Sequence, residues 1–146
     1  MEVYVPALRD DCPAASALSV EGVDHHLALM FDEMGYGTLL SNLWFYGEGF
    51  IILEHDVVPF PGAIKALQEC RADWCVHKYP PAPNKLYYSL GCMKVSTSLL
   101  EKTKDIPKRF NWEETKWSNL DGKVYPAIME IIKTPHVHEP PLAHVK

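Results

Sequence analysis

Two carboxylates and a histidine close the most apolar run in the chain, Phe50-Ile51-Ile52-Leu53-Glu54-His55-Asp56-Val57-Val58. A run so rich in β-branched and aromatic residues predicts a buried strand from Phe50 to Val58. Alternate side chains of a strand share a face, so Glu54 and Asp56 project together and His55 projects opposite. Adjacent carboxylates repel and are costly to desolvate, and a hard divalent cation is the common remedy. Either carboxylate alone reads better as a solvated strand end. The pair together points to a site, since open α/β sheets bind ligands just beyond the carboxyl ends of their strands.

Three other segments carry residues with chemical potential. His136-Val137-His138, with His144 beyond, places two imidazoles on one face of an extended tail, where both could reach one cation. A solvated tail is the plainer account of the same residues. Asp121, in Trp117-Ser118-Asn119-Leu120-Asp121, is either a helix cap or a general base beside a metal. Trp112 or Trp117 could stack on a sugar or base, although tryptophan more often simply packs. Gly91, in Leu90-Gly91-Cys92, marks either a bulge or a close approach of backbone to ligand.

Other signals are weak. Asp24-His25-His26 lacks the partner aspartates of a metallophosphoesterase site. Cys70 and Cys75, separated by four residues with no second close pair, make a poor zinc signature. With Cys12 and Cys92 they read as reduced, mostly buried thiols. No GxGxxG, Walker loop, GxSxG or HExxH occurs.

The elements that must position these residues alternate between strand and helix. Glu2 to Ala7 reads as a strand stopped by Pro6, and Arg9 to Ala14 as polar loop. Val20 to Met34 has helical spacing at Leu27, Met30, Phe31 and Met34. Thr38 to Tyr46 is a second helix, ended by Gly47 and Gly49. After Phe50 to Val58 come a helix Gly62 to Cys70, a strand Trp74 to Lys78, a proline-rich loop from Pro80 to Pro83, and a strand Leu86 to Val95 interrupted at Gly91. Ser96 caps a short helix to Thr103. Lys104 to Asn111 is loop. Asp121 caps a helix Gly122 to Lys133, with Pro126 near its start, and Pro135 to Lys146 is extended. The class is α/β, a small mixed open sheet with flanking helices in a single domain, 1–146.

Composition narrows the function. The 146 residues carry a net charge of -5, and their 14 Lys and Arg residues are scattered, the closest grouping running from Lys102 to Arg109. That excludes the basic patch of a nucleic-acid binder. No apolar run approaches the ~20 residues of a membrane span, and a cytoplasmic location is expected.

Taken in order, these segments resemble a GT-A-type nucleotide-sugar glycosyltransferase, family-2-like and abbreviated. Val3-Tyr4-Val5-Pro6 looks like the family's first strand, whose end meets the nucleotide. Ile52-Leu53-Glu54-His55-Asp56 looks like its acidic DxD-type motif, with Glu for the first Asp. Leu90 to Ser96 looks like the acceptor-side strand, Trp117 to Asp121 like the segment that delivers a catalytic carboxylate, and the tail histidines like a late metal ligand. The resemblance implies Mn²⁺ or Mg²⁺ on Asp56, with Glu54 through water and one of His136, His138 or His144. It places Pro6, Glu54 and Gly91 against the nucleotide-sugar donor. Asp121 would deprotonate a hydroxyl of a glycan or small-molecule acceptor if the enzyme inverts the anomeric centre. The segment before Glu54 is short for the family by one or two βα units, which a second copy of the chain would complete as a homo-oligomer. Two other functions fit the same residues: a non-catalytic nucleotide- or glycan-binding module of this fold, and a small metal-dependent hydrolase.

Overall fold

A computed structural model describes residues 1–78, 91–109 and 111–145. Six strands form a mixed sheet in the order β2-β1-β3-β6-β5-β7. They are β1 (Glu2–Ala7), β2 (His26–Leu29), β3 (Phe50–Leu53), β5 (Trp74–His77), β6 (Cys92–Val95) and β7 (His136–His138). β1 runs parallel to β2 and β3, β6 is antiparallel to β3 and β5, and β7 is parallel to β5. A separate pair joins β4 (Val57–Val58) to β8 (Ala143–His144). The expected mixed open sheet with flanking helices is the fold observed.

Strand alternation divides the sheet between two cores. Phe50, Ile52, Trp74, Val76, Met93 and Val95 face one core with residues of α2 (Gly35–Tyr46), α4 (Thr97–Lys102) and α5 (Trp117–Met129). Val3, Val5, Ile51, Leu53, Cys75 and Cys92 face the other with α1 (Pro13–Glu21) and α3 (Ala63–Glu69). All four residues of β3 are buried, each worth about 1.5–3 kcal/mol, so the strand leading to Glu54 is a rigid mount.

Several elements differ from the sequence expectation. The helix expected over Val20 to Met34 is absent. A helix forms earlier, over Pro13–Glu21, with proline in its first turn and Gly22 at φ 82 as its stop. Beyond Gly22 the chain gains more by adding β2 to the edge of β1 than by continuing as helix, and Phe31 is left fully exposed. Pro6 does not stop β1: it lies past Tyr4, the last residue paired with β3, where a missing N–H breaks no rung on that side. The acidic strand ends at Leu53, because the chain turns over Glu54 to Val57, whose N–H donates to the Glu54 carbonyl at 3.1 Å. α5 begins four residues before Asp121, which is therefore not its cap, and Pro126 lies well inside it. Ser96 does cap α4, its Oγ accepting from the Leu99 N–H at 3.1 Å. Within the expected loop, Ile106–Lys108 forms a 3-10 turn. The proline-rich loop and the start of the strand from Leu86 lie outside the described residues. None of the described helices is long and apolar enough to cross a membrane.

Candidate active site

The carboxyl end of β3 gathers side chains from four segments distant in sequence. Trp117 and Asp121 stand one turn apart on α5 and so share a face. The Trp117 indole donates to Glu54 Oε1 at 3.1 Å, and the Tyr36 hydroxyl, at the start of α2, donates to Oε2 at 3.3 Å. Behind the carboxylate, the Glu54 N–H donates to the Gly91 carbonyl at 2.8 Å, extending the β3–β6 ladder by one rung. Glu54 is thus held at both ends.

Electrostatics make this carboxyl unusual. Burial, then the charges of Asp121 and Asp56, push it up to about 8, against the pull of its two hydrogen-bond donors. At neutral pH Glu54 holds a proton unless a cation offsets its neighbours. The turn after β3 then brings Asp56 against the tail, where Asp56 Oδ2 and His144 Nε2 lie 2.9 Å apart, both largely shielded from solvent. The backbone fixes this contact, because the Val145 N–H donates to the Asp56 carbonyl at 2.8 Å and β8 pairs with β4.

Glu54, Asp56, Gly91, Asp121 and His144 therefore meet around one strand end. His136 and His138 do not. Their register partners are Cys75 and His77 of β5, and β7 lies three strand spacings from β3, about 14 Å. His55 does not point away as a regular strand would require. Its ring meets the edge of Trp117 with centroids 5.0 Å apart, because the chain is already turning. Tyr36 is the residue that sequence reasoning missed. It is fully buried with its ring 4.8 Å from Trp117, and nothing in its helical surroundings marks a hydroxyl aimed at Glu54.

Pro6 is paired with Ala28 near the carboxyl ends of β1 and β2, on the strand next to β3. A cleft of about 490 Å³ opens there, lined by Leu8, Arg9, Asp11, Leu29 and Phe31 among others. Another pocket, of about 480 Å³ around Glu2, His26 and Phe50, lies at the amino ends of the strands, away from Glu54 and Asp56.

Comparison with known proteins bears on the fold. No known family profile matches the chain, and no curated protein matches it in sequence. Two solved structures are similar along nearly its whole length. One is a glycosyltransferase involved in the glycosylation of the major capsid of PBCV-1, with a TM-score of 0.56 and 13% identity, over 98% of this chain and 92% of that one. The other is A197 from STIV, with a TM-score of 0.55 and 13% identity, over 99% of this chain and 82% of that one. At this identity the likeness is one of fold. It gives the chain a fold shared with a glycosyltransferase.

Proposed function

We propose that this protein is a metal-dependent glycosyltransferase that moves a sugar from a nucleotide-diphosphate donor to an acceptor hydroxyl. One observation carries the reading: Asp56 and His144 in contact, with Glu54 and Asp121 beside them, at the carboxyl end of β3 in a fold shared with a glycosyltransferase. Two such protein donors suit Mn²⁺ or Mg²⁺, which commonly bind through one or two protein groups and complete their shell with substrate phosphates. Asp56 and His144 would hold the cation. When bound, it neutralises charge on the departing diphosphate.

The remaining residues divide the proton work. Glu54 and Asp121 are neighbouring carboxyls, and the environment lifts Glu54 to about 8. Environments that drive two such groups apart mark acid–base assignments. Without the cation Glu54 keeps its proton at neutral pH, and Asp121 would accept the proton of the acceptor hydroxyl. Tyr36 and Trp117 orient Glu54 by their two hydrogen bonds. The cleft at Leu8 to Asp11 and Leu29 to Phe31 takes the nucleoside, with the exposed Phe31 ring as a face for the base.

The test is release of nucleoside diphosphate from UDP-, GDP- and CDP-sugars with Mn²⁺. Asp121→Asn should lower turnover by about 10²–10⁴-fold while donor binding persists. Turnover unaffected by both Asp121→Asn and Asp56→Asn would overturn the assignment.

A further inference from the structure

Away from the carboxylates, on the α1/α3 face of the sheet, a second set of donors converges. Cys70 ends α3, Cys75 lies on β5 and His138 on β7. Their ligand atoms, two sulfurs and one ring nitrogen, all lie within 4.8 Å of one another, the one such group among the described residues. Cys75 is fully buried, and the other two are partly buried. His138 Nε2 is itself buried and has no hydrogen-bond partner among the described residues. An orphaned buried imidazole nitrogen is costly, and a bound cation would relieve it.

We propose that Cys70, Cys75 and His138 bind a soft divalent cation, zinc above all, which clamps β7 onto α3 and β5. The geometry suits it. Around a tetrahedral zinc with bonds of about 2.3 Å to sulfur and about 2.0 Å to nitrogen, ligand atoms stand roughly 3.5–3.8 Å apart, so closure needs only a slight inward movement. Two thiolates and an imidazole favour zinc over Mn²⁺ or Mg²⁺, which prefer oxygen. The fourth position is left to solvent beside the edge strand.

Charge and protons also balance. Each thiol loses its proton to solvent as its sulfur–metal bond forms, so two positive charges enter and two protons leave. Lys94, the register partner of Cys75 on β6, donates through Nζ to the Cys70 carbonyl; burial pushes the Cys75 thiol up, and the Lys94 ammonium opposes that. The clamp has a consequence for the catalytic end. The chain leaving His138 reaches His144 six residues later, so fixing β7 also fixes the segment that lays His144 on Asp56.

The proposal is independent of the glycosyltransferase reading and is tested with Co²⁺ as the probe. Reduced, metal-free protein titrated with Co²⁺ should develop thiolate-to-cobalt charge-transfer absorption in the near ultraviolet and strong tetrahedral bands in the visible. Zn²⁺ should abolish both. His138→Asn and Cys70→Ser, both at partly exposed positions, should weaken Co²⁺ binding at least about 10-fold, since loss of a mere outer-shell partner can do as much. Cys12→Ser should leave it unchanged. Asp56→Asn should retain the charge-transfer band, because carboxylate and imidazole cannot produce it. Lowering the pH by one unit should weaken binding up to about 100-fold, as two protons compete. Absence of the band, its persistence in both His138→Asn and Cys70→Ser, or a Cys70–Cys75 disulfide in protein prepared with zinc present would overturn the proposal.

Discussion

The two donor clusters sit on the same sheet and differ in nearly every chemical respect. Around Glu54 and Asp56 the donors are carboxylates with one histidine, His144, and burial with the neighbouring charges raises the Glu54 carboxyl to about 8. Around Cys75 and His138 they are sulfur and nitrogen, beside a buried lysine. Hard oxygen sites exchange cations quickly and share them with substrate phosphates, whereas thiolate sites hold theirs as part of the structure. Chain topology separates the tail histidines: β7 carries His136 and His138 to β5, where His138 joins the thiols, and β8 carries His144 to Asp56. In the two proposals, one end of the sheet serves turnover and one face retention.

Asp56→Asn should separate the two clusters most clearly. It should abolish stabilisation by Mn²⁺ with nucleotide, about 2.7 kcal/mol when ligand is at 100 times its dissociation constant. The thiol cluster should be untouched. Equal loss at both clusters, read by thermal melts with Mn²⁺ and by Co²⁺ spectra, would show that they are not separate.

A second test uses pH. Glu54 has a folded pKa of about 8, above its unfolded value of 4.5. The stability it contributes is fully present below 4.5 and is lost as pH rises through 8. Glu54→Gln should flatten this decline, which is worth on the order of 1 kcal/mol or more, because a tenfold change in a group's proton affinity corresponds to about 1.4 kcal/mol. Mn²⁺ should offset the decline in the parent protein. Denaturant melts from pH 5 to 9 measure both, and an unchanged slope in Glu54→Gln would place the titration elsewhere.

Much of this arrangement is legible in the sequence, and the part that is not has a physical cause. Glu54 and Asp56 follow an apolar run that reads as a buried strand, and that run is buried as β3. The structure also brings Asp121 and His144 to the same place. Tyr36 and the Cys70–Cys75–His138 group are invisible in the sequence, because each depends on tertiary pairing. The spacing of Cys70 and Cys75 argues against a metal, and only the parallel addition of β7 supplies a third donor. The misplaced helix at Val20 to Met34 has the same origin. Local periodicity favours a helix, and the edge of β1 recruits Leu27 into a strand instead.

Smaller effects sharpen the carboxylate end further. Trp117→Phe removes a hydrogen bond to Glu54 and should cost about 1 kcal/mol while raising the pH at which Glu54 ionises. His55→Ala removes only a ring contact with Trp117, about 0.5–1 kcal/mol, and should leave the Mn²⁺ response intact. If His55→Ala abolished that response as fully as Asp56→Asn, His55 would belong among the ligands.

In the proposed function, the carboxyl end of β3 binds a nucleoside diphosphate through a cation on Asp56. The direct measurement is the thermal shift of the parent and of Asp56→Asn with UDP, GDP and CDP, each with and without Mn²⁺. The account predicts stabilisation that requires both Mn²⁺ and one of the nucleotides in the parent and vanishes in Asp56→Asn. A shift with Mn²⁺ alone, indifferent to nucleotide, or a shift that survives in Asp56→Asn, would contradict it.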